Sequence, residues 1–350
     1  MATLETQKLD SIIASRRTLL KGVGALAAAA AVGEKVANAA VPAAPTDAQV
    51  LNFALNLEYL EAQFYTLAVE GVTADKSTLG GAIGTGAGTA ATGGGTVKVK
   101  ANAKVTFANK SIQAYAIETA REERNHVNFL RGALAGGAVA QPNLDLQTSF
   151  VGLGNALTPP VANFDPFLND LTFLYGAYIF EDVGVTAYHG GAAFLAQTKQ
   201  YLTPAVEIHA VEAYHAGLIR STLYGLDQGA LTIPGTTLSI GGVAPTATSI
   251  SNLRATLDGT KGTVPTDAVG LTGQDDFGLT TISVPLNGTS ATASTILDAG
   301  KVTAAGSSTV TYNYYVAFAR TVQQVLNIVY ASATGVKGGF FPNGLNGDIS

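Results

Sequence analysis

The chain has 350 residues, 47% hydrophobic and 13% charged, with no Cys, no Trp and a formal charge of -5. That is enough apolar material for one large domain or two ordinary ones, and without Cys there are no disulfides, thiolate metal sites or cysteine nucleophiles. Neither a basic stripe nor an aromatic–basic alternation is present, which argues against a nucleic-acid partner.

Residues 1–39 read as an export signal rather than as part of the fold. SRRTLLK (15–21) precedes the weakly apolar run GVGALAAAAAVG and then Ala37-Asn38-Ala39, which is the order of a charged region, an apolar region and a small-residue cleavage site. Arg16-Arg17, with Ser before and Leu-Lys after, resembles the twin-arginine export signal. Cleavage after Ala39 removes five basic and three acidic residues and leaves 15 basic against 22 acidic, a charge of -7. The apolar run is too short and too Ala-rich to span a bilayer, and no other segment is long enough. The expectation is a periplasmic or extracellular protein with no stable membrane insertion.

A first helix is predicted from about Gln49 to Glu70, opened by the capping-box pattern Thr46-x-x-Gln49. The Gly/Thr/Ala-rich stretch 71–101 lacks the Lys-Ser/Thr of a phosphate loop and reads as a flexible insertion. A second helix is predicted from about Asn109 to Ala135, stopping at Gly136-Gly137. A long connection follows over 138–164. Asp165-Pro166 is the predicted start of a third helix, running to about Ala196, and Thr203-Pro204 that of a fourth, running to about Leu226. The composition then shifts, because all eleven Glu precede position 213. Residues 229–311 are Thr/Gly/Ser-rich, with β-like pieces in LTIPGTTLSIGG and TTISVPLNG. A last short helix is predicted from the second capping box, Thr321-x-x-Gln324, to about Tyr330.

Chemistry concentrates on the four long helices. The second carries Glu123-x-x-His126 and the fourth Glu212-x-x-His215, and three residues return to nearly the same helix face. The first carries Glu58 in an apolar setting with Tyr65 seven residues on, and the third carries Glu181 with Tyr188 seven residues on. Each Glu thus shares a face with its own Tyr. Carboxylates and imidazole suit iron or manganese. Without a cation, four Glu in an apolar interior would repel one another and suffer large desolvation costs. Glu61, about 300° from Glu58 at 100° per residue, is the alternative first-helix ligand. Glu122 and His209 read as groups on the rim or behind the ligands, and His189 as a satisfied polar residue. Tyr65 and Tyr188 are candidates to hydrogen-bond the ligands, or plain core tyrosines.

LEYLEAQFY, REERNHVNFLRGAL, FEDVGVTAYHGG and the tail FARTVQQVLNIVYASATGVKGGFFPNGLNG resemble the secreted ferritin-like family that includes the desiccation-related proteins of plants and bacteria. The resemblance covers most of 47–228 and 316–347. It implies a mainly α protein, a ferritin-like four-helix bundle over 40–228 with a long crossover between helices 2 and 3. A β-rich Thr/Gly-rich elaboration would occupy 229–311, and 312–350 would be a short helix and tail packed on the bundle. It also implies two metal ions, with Glu123 and Glu212 bridging, His126 and His215 outside, and Glu58 and Glu181 terminal. The implied chemistry is oxidation of Fe(II), or reduction of peroxide or oxygen, in stress protection. The alternative is a structural or stress-associated surface protein whose metal only stabilises it. The Thr/Gly-rich strands, with their pairing edges, are candidates for homo-oligomer or surface contacts.

If Arg16-Arg17 is read by the twin-arginine pathway, replacing both with Lys should strand the precursor in the cytoplasm. Fractionation of the expressing cell tests this, and normal export of the variant would point to the general secretory route.

Overall fold

The computed structural model describes residues 44–195, 199–261, 272–274, 278–279, 281–286, 289–294, 301–305, 311–313 and 317–349. The predicted export signal lies outside them. Helix α1 (Asp47–Glu70) opens on the expected capping box: the Gln49 N–H donates to Thr46 Oγ1 at 3.3 Å and the Thr46 N–H to Gln49 Oε1 at 2.8 Å. Every residue from Leu55 to Val69 is buried, as befits a helix covered on all sides. Helix α2 (Lys110–Leu134) is capped by Asn109, whose Oδ1 accepts from the Ser111 and Ile112 N–H groups. It buries one stripe, from Ile112 through Ala116, Ala120, Glu123 and Val127 to Leu130.

The connection after α2 is not bare loop. It holds strand β2 (Leu144–Asp145), which pairs in parallel with β1 (Val97–Lys98), and helix α3 (Thr148–Ala156). The Gly-rich stretch that contains β1 is pinned rather than loose. Arg131 reaches out of α2 and donates to the carbonyls of Gly86, Gly88 and Ala90 at 2.7 to 2.9 Å, and the Gly95 N–H donates to the Gln141 carbonyl. Its side-chain anchor lies far away in sequence, which composition does not reveal.

Two predicted starts move. Helix α4 runs Asp170–Ala192 and is capped by Asn169 in a capping box with Thr172, not by Asp165. The Asp165 carboxylate instead accepts from the Phe167 N–H at 2.9 Å and binds Lys100. Helix α5 runs Lys199–Asp227 with Pro204 inside it. The proline forgoes one backbone hydrogen bond, and the burial of the rest of the helix outweighs that loss. Helix α1 packs on α2, α4 on α5, and α1 on α4.

Residues 231–242, expected to carry strand, contain none, and a helix the sequence reading missed, α6 (Ala244–Leu257), follows. Among the described residues the strands that follow are the hairpin β4 (Thr281–Leu286) and β5 (Thr289–Ser294), and a sheet of β3 (Thr272–Gln274), β6 (Lys301–Ala305) and β7 (Thr311–Asn313) in the order β3-β6-β7. Helix α7 (Val322–Val329) begins at its predicted capping box. One apolar core joins Phe64 of α1, Phe150 of α3, Phe180 of α4, Val325 of α7 and Phe340 of the tail. At Gly190 the tail backbone comes so near α4 that a Cβ would sit 1.9 Å from the Arg320 carbonyl oxygen. The Arg320 N–H donates to the Thr186 carbonyl at 3.0 Å.

Buried ion pairs fasten these later segments. Arg220 of α5 and Arg254 of α6 both donate to the Asp182 carboxylate of α4, at 2.6 to 2.8 Å, and both guanidinium groups lie over the Tyr178 ring. Arg320 donates to Asp258 at 3.0 Å and to Thr186 at 2.8 Å. Burial opposes ionisation of Asp182, but the two arginines outweigh it and hold its carboxyl below the usual range. Breaking a buried pair by removing one partner costs about 3–5 kcal/mol. Asp182→Ala should therefore destabilise the protein by that order in chemical denaturation, and a loss below about 1 kcal/mol would mean the cluster behaves as a surface pair.

Candidate metal centre

Each long helix delivers carboxylates to one interior point. Glu58 comes from α1, Glu123 and His126 from α2, Glu181 from α4, and Glu212 and His215 from α5, all six buried. They form two overlapping groups whose donor atoms lie within 4.8 Å of one another: Glu58, Glu123, His126 and Glu212, and Glu123, Glu181, Glu212 and His215. Glu123 and Glu212 belong to both. His126 Nδ1 lies 3.3 Å from Glu58, 3.4 Å from Glu123 and 3.6 Å from Glu212. His215 Nδ1 lies 3.0 Å from Glu123 and 3.3 Å from Glu181.

The inner atoms of this cage are orphaned. Both oxygens of Glu123 and of Glu212, Oε2 of Glu58 and of Glu181, and Nδ1 of both histidines are buried without a hydrogen-bond partner. Buried polar atoms rarely go unpaired, and here eight of them converge. Two cations would satisfy them together, so the residues present fit a pair of metal ions.

The outward atoms, by contrast, are engaged. The Tyr65 hydroxyl of α1 donates to Glu181 of α4, and the Tyr188 hydroxyl of α4 donates to Glu58 of α1. The sequence put each tyrosine on the face of its own helix's glutamate; across the interface each serves the opposite one. His215 Nε2 meets Glu122 Oε2 at 2.8 Å, which directs the Nδ1 lone pair inward. Glu61 is buried beside the cage but belongs to neither group. His209 stands off the cage, its ring centroid 5.8 Å from that of His189, and His189 Nδ1 lies 2.7 Å from the Ala317 carbonyl oxygen. Sequence reasoning missed Gly184: a Cβ there would sit 2.1 Å from Glu212 Oε2. Its only sequence signal is its place, three residues after Glu181.

A ferritin-like domain family model matches residues 46–225. The chain belongs to the ferritin-like domain family. It is 28% identical over 320 residues to the ferritin-like catalase Nec2 of Nesocodon mauritianus, covering 87% of this chain and 85% of that one. It is 31% identical over 185 residues to the desiccation-related protein PCC13-62 of Craterostigma plantagineum, covering 51% of this chain and 53% of that one; the match thus spans about half the length of that relative. No solved structure matches. Among the described residues no helix is long and apolar enough to cross a membrane.

The metal-free cage balances its charge with protons. Burial pushes the Glu58 carboxyl up to about 7, against the pull of His126. Burial, then the neighbouring carboxylates of Glu123 and others, raise Glu212 and Glu61 well above the usual range. Burial works against protonation of the histidines, but the surrounding carboxylates prevail: His126 rises to about 10, and His215 is raised further. Burial also opposes ionisation of Glu123, yet the two imidazolium ions hold it low. A raised folded-state pKa means more protons bound in the folded than in the unfolded state, so stability falls as pH rises between the two values. For Glu58 that window runs from 4.5 to about 7 and for His126 from 6.5 to about 10, while the contribution of Glu123 is complete above 4.5. The melting temperature of the metal-free protein should therefore fall from about pH 5 to about pH 9, and that of the metal-loaded protein should fall much less. Calorimetry across the range reads this, and a flat metal-free curve would refute the charge assignment.

Proposed function

We propose that this chain is a ferritin-like four-helix bundle holding two iron or manganese ions, and that the centre disproportionates hydrogen peroxide to water and oxygen. The observation that carries this reading is the pair of four-residue groups sharing Glu123 and Glu212. Glu58 and His126 would complete one ion's ligand set, and Glu181 and His215 the other's. Glu123 and Glu212 would serve both ions, and two redox-active ions so held would suit two-electron chemistry. The relative named as a ferritin-like catalase, matched over most of both chains, supports peroxide as the substrate. Signal peptide and export, read from 15–39, belong to the same proposal.

Two adjacent redox-active ions would supply the electrons that one peroxide takes and another returns. The protein contributes position and environment. Four carboxylates would offset most of the charge of two divalent ions held among them, which favours such ions in a buried site. The Tyr65 and Tyr188 hydroxyls engage the Glu181 and Glu58 carboxylates, leaving in each a second oxygen facing inward without a partner. Glu122 accepts the His215 Nε2–H and keeps that ring in the tautomer that binds through Nδ1. The carboxylates of Glu58, Glu123, Glu181 and Glu212 are themselves shielded from solvent.

The test is metal content together with oxygen release from hydrogen peroxide. A ligand that binds only the native state stabilises it by about 2.7 kcal/mol at a hundredfold excess over Kd, so chelation should lower the melting temperature. The double variant Glu123→Gln/Glu212→Gln should hold less metal, lose most of that sensitivity to chelator, and release no oxygen. Metal without peroxide turnover in the parent would leave a stabilising role only, and full activity in the variant would move the centre elsewhere.

A further inference from the structure

A small cavity adjoins the carboxylate cage. Leu57, Leu60 and Glu61 of α1 form one wall, and Val183 and Gly184 of α4 help form the other. Helix α7, through Ile328 and Val329, and Phe340 of the tail roof it. It has about 20 Å³ of room for the centre of a water-sized guest. One water needs roughly 10–15 Å³ on that measure, so there is space for one very small molecule. On the side of the cage the cavity ends at Glu61 and Gly184. Gly184 packs against the shared carboxylate so closely that a Cβ there would sit 2.1 Å from Glu212 Oε2. Glu61, one turn past Glu58, stands opposite. Another cavity, at the Val50 end of α1, touches the centre only through the Tyr188 ring.

The lining decides what fits. All of it is apolar except Glu61, and an anion stripped of water beside a carboxylate would be strongly disfavoured. We propose that this cavity is the substrate pocket of the centre, that it admits uncharged oxidants of two heavy atoms such as hydrogen peroxide or dioxygen, and that Val183 and the α7 roof exclude alkyl hydroperoxides. The proposal rests on the reading of the centre as a peroxide-handling metal site, and it names the size class of that site's substrate. None of the gating residues is a candidate ligand.

The experiment uses the full chain loaded with Fe(II), as wild type, Val183→Leu and Val183→Ala. Nitric oxide, uncharged and of two heavy atoms, is the probe, and its association is followed by absorbance in stopped flow. Filling the cavity with Val183→Leu should leave metal content unchanged, slow nitric oxide association about tenfold, and lower kcat/KM for hydrogen peroxide in proportion with kcat little changed. Enlarging it with Val183→Ala should raise kcat/KM for tert-butyl hydroperoxide about tenfold relative to hydrogen peroxide. Wild-type association rates in a fully loaded Val183→Leu protein would overturn the assignment. If that variant does not fold, an unchanged peroxide preference in Val183→Ala overturns it instead. A wild-type protein that binds nitric oxide but turns over no peroxide removes the functional reading, while Val183→Leu association rates still decide whether the cavity is the entry.

Discussion

Five carboxylates, those of Glu58, Glu61, Glu123, Glu181 and Glu212, lie buried at one level of the protein with only two imidazoles among them. Negative charge in a dry interior must be neutralised, and side-chain geometry decides how. Here the outward atoms of Glu58 and Glu181 are taken up by tyrosine hydroxyls, and His215 is held from behind by Glu122. What remains unpaired points to a common centre. An interior built for packing alone would have no reason to leave its unpaired atoms facing one another.

The rotation of α4 is fixed from two sides. Glu181 faces the cage, and its neighbour Asp182 faces the paired arginines of α5 and α6. A turn of α4 that improved one cluster would break the other. Helix α6 and the tail are therefore tied to the geometry of the centre although neither supplies a candidate ligand. The same tail closes the cavity beside Glu61, so the C-terminal region both steadies α4 and limits access.

The long helices and the convergence of Glu58, Glu123, His126, Glu181, Glu212 and His215 were legible because helical periodicity is local, and because glutamate in an apolar stripe stands out. The capping boxes at Thr46 and Thr321 were legible for the same reason. What escaped depends on partners distant in sequence. Asp165-Pro166 and Thr203-Pro204 look like helix starts, but Asp165 is occupied by Lys100 and a turn, and α5 absorbs Pro204. Helix α6 hid in a Thr/Ser-rich stretch because what holds it, the buried Ala247 and Ile250 and the Arg254 that reaches Asp182, has its partners on elements distant in sequence. The 71–101 stretch looked slack because its anchor, Arg131, lies on another element. Glu58 and Glu61 lie less than one helical turn apart, and only their side-chain placement distinguishes them: Glu58 belongs to one of the four-residue groups and Glu61 to neither.

The crossed tyrosines bear on how such a protein can change over evolutionary time. Glu58 and Tyr65 on α1, and Glu181 and Tyr188 on α4, have the same spacing, as two copies of one unit would. Yet Tyr65 serves Glu181 and Tyr188 serves Glu58. A substitution in either copy is felt first by the carboxylate of the other. The two halves are therefore not free to diverge independently: a lineage that alters one must compensate in its counterpart, and swapping in a half from a distant homologue would disturb the recipient's own glutamate before anything else.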